Sequence, residues 1–453
     1  MSALELLIIA VVAISLLFVL VIKLKVHAFI SLILTSIVVG LGTGMDFEAV
    51  LISIQDGMGG ILGYIALVVG IGAIFGEILQ VSGGVESLAK SMLKRFGEEK
   101  SSWAMMTTGF IVAIPVFLDV GFIILVPMAF ALARKSGLSV LYYAIPMLAG
   151  LGVTHAFIPP TPGPIAVAEI IDVPLGWVII FGFIVGFPTA IIAGPVFGKY
   201  ISKKLHIEPP EIDPELKDVR SEDDEKLPSF TWVIFLIGLP LVMILGRTII
   251  ELGYKQSWID TAYWLDIIKF LGHPFIALLI ATMLAAYFLG IRRGFSKSQI
   301  MKVANASLSP AGLIILVTGA GGVFKQVLVD SGVGEALAEI FTQFHISPVI
   351  LAYILAVVIR LTQGSATVAM ITAAGMMAPV IAALGLGDIQ KALVVIGIAA
   401  GSTFLSHVND SGFWLIGKYL KMDEKQTLMS WSMMETIISV VGFVIVLILS
   451  YIL

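Results

Sequence analysis

The sequence contains no cysteine and little charge. Without cysteine, disulfides and thiolate metal sites are excluded, and no redox compartment can be read from the chain. Asp, Glu, Lys and Arg make up 13% of the 453 residues, where soluble domains carry about 25%. HExxH, P-loop and nucleophile-elbow patterns are missing, as are paired carboxylates at glycosidase spacing. No basic, aromatic-laced stretch points to nucleic acid. The chain is therefore expected to be no enzyme and to hold no cofactor or metal.

Apolar material is abundant, at 58% of residues and a mean hydropathy of +1.05. Long apolar runs recur at Leu6–Val21, Ile61–Ile78, Val173–Phe197, Phe230–Leu245, Pro274–Leu289 and Ile437–Leu453. A helix crosses the hydrocarbon core with about 20 such residues, so an all-α polytopic membrane protein of about ten spans is predicted. The first run carries Glu5 where a signal peptide would carry Lys or Arg, and reads as a retained span.

One stretch breaks the pattern. Leu205–Pro228 holds nine acidic and three basic residues and four prolines. It reads as a hydrophilic linker, with a regulatory role as the alternative. The halves on either side resemble each other. A shift of 249 residues aligns Gly70, Gly72, Phe75, Leu79, Ser82, Gly83, Glu86, Leu88 and Ala89 with identical residues. The same shift places Gly152, Thr154 and Gly163 on Gly401, Thr403 and Gly412. The segments Ser82–Ala89 and Ser331–Ala338 read as matching interfacial arms. Glycines from Gly57 to Gly76 suit close helix packing.

Lys and Arg near span ends favour the cytoplasm. Clusters at Lys23 and Lys25, Lys94 to Lys100, Lys199 to Lys204, Arg292 to Lys297 and Lys418 to Lys425 fit one path with the N-terminus outside and the linker cytoplasmic. On that path the repeats are inverted. The path also makes Trp103–Ala133 and Ser347–Leu384 re-entrant helical hairpins, because each has like flanks and an interruption. Irregular backbone at such depth needs protein or a water-filled cavity around it.

Four interruptions hold nearly all the polar residues expected within the membrane: Phe117–Gly121, His155–Pro164, Arg360–Ala369 and Leu405–Trp414. Each is followed by an apolar helical stretch, and so exposes free N–H groups and about half a positive charge. Asp119, Thr161, Ser365 and Asp410 stand at expected N-caps. A single break can be a packing kink; paired breaks in two repeats point to a midplane site for a small anion. Thr161, Gly163, Gln363, Gly364, Ser365, Thr367, Asn409 and Ser411 are the candidate substrate ligands. Asp119 and Asp410 could carry a coupling proton, bind a cation or only cap their helices. His155 and His407 have side chains suited to proton transfer, though a structural histidine is the plainer reading. Arg360 could counter a substrate carboxylate or merely hold its hairpin.

At these breaks the chain resembles the gluconate:proton symporter family, the Gnt permeases of the ion transporter superfamily. FLDVGFIILVP (Phe117–Pro127), HAFIPPTPGPIAVA (His155–Ala168), QGSATVA (Gln363–Ala369) and LSHVNDSGFW (Leu405–Trp414) carry the likeness, which extends over essentially the full length. The family's first tip often has Glu before Val-Gly; here the acid is the shorter Asp119. The resemblance implies proton-coupled uptake of gluconate or a related sugar acid across the inner membrane, with Na+ as the other candidate coupling ion. Glycerate, ketogluconates, fructuronate and D-serine are further family substrates, and a cation/proton antiporter is the alternative function. It also implies a scaffold that forms a homodimer and an elevator-type transport domain. The scaffold would be residues 1–97 and 229–344. The transport domain would be 98–204, with hairpin 103–133 and broken helix 138–171, and 345–453, with hairpin 347–384 and broken helix 389–420; 205–228 would be the linker.

Overall fold

Within lipid a backbone satisfies its N–H and C=O groups only inside a helix or a closed barrel. The apolar runs of this chain take the first course throughout. The computed structural model describes residues 3–97, 99–209, 227–256, 258, 263–336, 339 and 347–453, and these contain helices and no strand.

The first half runs α1 (Ala3–Phe18), α2 (Ala28–Gly42), α3 (Phe47–Val81), α4 (Gly84–Phe96), α5 (Ser101–Val112), α6 (Leu118–Ser136), α7 (Leu141–Phe157), α8 (Pro162–Ile171), α9 (Leu175–Ile191) and α10 (Phe197–Lys204). The second half runs α11 (Phe230–Lys255), α12 (Tyr263–Leu271), α13 (Pro274–Ala285), α14 (Lys297–Asp330), α15 (Pro348–Gln363), α16 (Ala366–Leu384), α17 (Asp388–Ser402), α18 (Ser411–Tyr419), α19 (Glu424–Thr427) and α20 (Met433–Ile452). Eight helices among the described residues are long and apolar enough to cross a membrane, and α2 and α15 are shorter apolar ones. This is a multi-pass, all-α membrane protein.

Helices recur at the shift read from the sequence. Moved by 249 residues, α8 falls on 411–420, where α18 spans Ser411–Tyr419. Moved likewise, α3 falls on 296–330, beside α14 at Lys297–Asp330. These two long helices pack against each other in opposite directions. Ser53 Oγ donates to Asp330 Oδ2 at 2.6 Å near one end, and Gly70 faces Leu308 towards the other. Between these contacts the backbones nearly touch, because a Cβ on Gly57 would lie 2.7 Å from the Gly322 carbonyl oxygen. Small residues permit that approach, and close packing takes the place of hydrophobic drive in lipid.

The acidic linker is shorter than its composition suggests. Residues 210–226 lie outside the described residues, but its first residues are fastened to the loop before α7. Ile207 N–H donates to Ser139 Oγ at 3.0 Å, Val140 N–H to Ile207 O at 2.9 Å, and the Ile207 side chain is buried. One apolar residue with two backbone bonds outweighs the polar sequence that follows it. Of the two matching arms, Leu337 and Ala338 also fall outside the described residues.

Candidate functional site

The site begins with an orphaned carbonyl. Helix α15 ends at Gln363, and its last carbonyls have no partner of their own in the helix. The α17–α18 break supplies partners: the His407 ring Nε2 lies 2.9 Å from Leu361 O, and Asn409 Nδ2 donates to the same oxygen at 3.0 Å. The chain then turns through Gly364 at φ +78°. A Cβ there would sit 2.6 Å from the Asn409 carbonyl carbon and 2.8 Å from its Cγ. Only glycine fits, in conformation and in space.

Two helix N-termini emerge from this junction. Ser365 caps α16, its Oγ accepting from Val368 N–H at 3.4 Å. Asp410 caps α18, its Oδ1 accepting from Gly412 N–H at 3.0 Å. Arg360 is 2% exposed and donates from Nη2 to Asp410 Oδ2 at 2.6 Å, and from Nη1 to Gly364 O. Ser406 Oγ reaches the same Oδ2 at 2.5 Å and accepts in turn from Trp431 Nε1 at 2.7 Å. Asp410 is thus held from three directions. Arg360 is not fully used, since its Nε is buried with no hydrogen-bond partner.

A cavity of about 330 Å³ opens beside these groups. From the first half it receives Asp119 at the start of α6, and Gly152 and His155 from α7. From the second half come Arg360, Gln363, Gly364, Ser365 and Thr367, then Asn409, Asp410 and Ser411. Amide, hydroxyl and guanidinium donors converge there with two helix N-termini, an arrangement that favours a hydroxylated anion.

Three candidates lie elsewhere. Thr161 is the N-cap residue of α8, but its hydroxyl makes no capping bond and donates back to Ile158 O at 2.7 Å. It faces a small pocket with Gly72, Phe117 and Pro160. Gly163 abuts Met370, whose sulfur lies 3.0 Å from where a Cβ would be. His407 does not line the cavity; its ring engages Leu361 O. A correction applies to Asp119. It is not the cap of α6, because that helix starts at Leu118 with Phe117 as N-cap. Asp119 falls in the first turn, where a carboxylate still meets the positive end of the helix.

Residues 5–452 match the model of the GntP family permeases. The chain belongs to the GntP permease family. It is 42% identical to the low-affinity gluconate transporter of Escherichia coli (strain K12), covering 98% of each chain. It is 38% identical to the Gnt-II system L-idonate transporter of the same organism, covering 97% of this chain and 98% of that one. MtrF of Neisseria gonorrhoeae, from a class of antimetabolite efflux pumps, shares the fold with a TM-score of 0.64 at 15% identity, over 88% of this chain and 83% of that one.

Several cavity residues of this GntP permease were not among the sequence candidates, two of them, Trp431 and Glu435, on the last span. Glu435 is 4% exposed, and its Oε1 has no hydrogen-bond partner. The signal existed: from Met433 to Leu453 it is the only charged side chain, and ionisable groups at that depth are usually functional. A second polar cavity of about 300 Å³ lies where the end of α8 meets α11 and α13, with Tyr64, Glu169, Asp172, Arg247 and His273 on its walls. In it Arg247 Nε is paired with Glu251 Oε1 at 2.7 Å.

Proposed function

We propose that this permease takes up gluconate or a related sugar acid together with a proton. The supporting observation is the Arg360 cavity. A substrate carboxylate would accept from the unpartnered Arg360 Nε and from the N–H groups at the starts of α16 and α18. Gln363, Thr367, Asn409 and Ser411 would bind the hydroxyls. The names of the gluconate and L-idonate relatives support this substrate class.

Charge balance supports the proton. Asp119, Asp410 and Glu435 line the cavity against one guanidinium, and Arg360 already neutralises Asp410. An arriving anion meets two further carboxyls. Like charges at 4 Å repel by about 4 kcal/mol at an effective dielectric of 20. Neutralising an acid as the anion binds removes that penalty. The same surplus of carboxyls favours a second reading, in which Na+ takes the proton's place.

The rest of the reading follows the family. Residues 1–97 and 229–344 would form a dimeric scaffold in the inner membrane, with the N-terminus outside. Residues 98–204 and 345–453 would carry the cavity across it as an elevator. Purified protein in liposomes should accumulate labelled gluconate several-fold when the outside is acidic. Uptake that follows a sodium gradient without a pH gradient would replace the proton, and no uptake of any aldonate would refute the proposal.

A further inference from the structure

Among the described residues, Glu435 is the cavity acid that is both buried and left with a carboxylate oxygen that accepts no hydrogen bond. Asp410 is held by Arg360, Ser406 and the Gly412 N–H. Asp119 belongs to the first turn of α6 and is exposed to the cavity. Glu435 is buried beneath it, with Oε1 unpartnered. It is pressed against α7 so closely that a Cβ on Gly152 would come within 2.9 Å of that oxygen. The titratable and charged groups facing the same cavity are Arg360 from α15, Asp410 at the start of α18, Asp119 from α6 and His155 from α7.

Three buried side-chain atoms without a hydrogen-bond partner belong to residues of this cavity: Arg360 Nε, Glu435 Oε1 and His155 Nδ1. An ionised carboxyl buried without a donor is costly. The guanidinium is the cation that could compensate it, and a substrate carboxylate needs the same guanidinium. We propose that Glu435 is the proton carrier of this permease and competes with the substrate for Arg360. This rests on the proton-coupled reading above. With a proton from outside on its carboxyl, Glu435 leaves Arg360 to the substrate. When the substrate departs inside, the proton leaves too, and the Glu435 carboxylate takes the substrate's place. One proton then accompanies each monoanion.

The test measures gluconate binding across pH in detergent, and gluconate transport in liposomes. The wild type should bind more weakly as pH rises, by about tenfold per pH unit once Glu435 loses its proton in the free protein. Glu435→Gln mimics the neutral acid. It should bind gluconate with an affinity independent of pH and exchange labelled for unlabelled gluconate, yet lose all accumulation driven by a pH gradient. Proton-driven accumulation in that variant, or an unchanged pH dependence of binding, would overturn the inference while leaving proton coupling intact. A wild type indifferent to pH would overturn both. Should the variant not fold, dicyclohexylcarbodiimide, which modifies buried protonated carboxyls, can be applied to the wild type. An adduct mapped to Glu435 that abolishes uptake supports the assignment; adducts on Asp119 with none on Glu435 overturn it.

Discussion

At the scale of single residues, the site depends on a few atoms with no substitute. Gly364→Ala would place a methyl group against Asn409 in a backbone conformation that costs L-residues about 1–2 kcal/mol before any clash. Thermal unfolding of that variant in detergent should begin several degrees lower, and transport should be lost. Asp410→Asn separates two roles, because asparagine still caps α18 but leaves Arg360 buried without its counter-charge. Breaking such a pair typically costs about 3–5 kcal/mol. A melting temperature equal to wild type would show that the pair contributes nothing. Ser365→Ala should weaken gluconate binding roughly tenfold, the scale of one hydrogen bond to a charged group, as read by titration calorimetry. Sequence patterns made most of these residues visible, since glycine, serine, asparagine and aspartate cluster at the breaks. Glu435 stands alone in an apolar helix, so no motif marks it; only the folded chain brings it to Arg360.

At the scale of elements, the broken helices are legible because proline, glycine and capping residues interrupt long apolar runs. What the breaks touch is not. His407 reads as a proton-transfer residue and Asn409 as a ligand in the sequence; both bond to the carbonyl of Leu361, and Asn409 also lines the cavity. Thr161 occupies the N-cap of α8, but its hydroxyl turns back to Ile158 instead of capping. In each case a carbonyl near a helix end competes for the polar side chain, and hydropathy carries no trace of it. The shift that sets α14 on α3 was readable, but not that the two helices pack against each other. Their antiparallel contact depends on Gly57 and Gly322, where each added Cβ would meet the other helix's backbone. Gly57→Leu should therefore force the helices apart and lower the melting temperature, by more than the same change at Gly59, which faces open space.

At the scale of the whole molecule, the proposed topology and elevator movement make separate predictions. Lys100 and Leu138 flank the α5–α6 pair and are both exposed. In this cysteine-free chain, single cysteines placed there should be labelled from the same, cytoplasmic, side; labelling from opposite sides would remove the first hairpin. A Cβ at Gly321 would lie 2.8 Å from Ile371 Cγ2, joining α14 of the proposed scaffold to α16 of the proposed transport domain. Oxidising a Gly321→Cys, Ile371→Cys pair should halt transport and leave binding intact, with reduction restoring it. Composition disclosed the membrane, but the second polar cavity was invisible, because its walls come from α8, α11 and α13, distant in the chain. The two polar cavities are of similar size. The most direct measurement is an experimental structure with gluconate bound: its carboxylate should lie within about 3 Å of Arg360 Nε and the first N–H groups of α16 or α18. Gluconate found instead beside Arg247 and Glu169 would contradict the account.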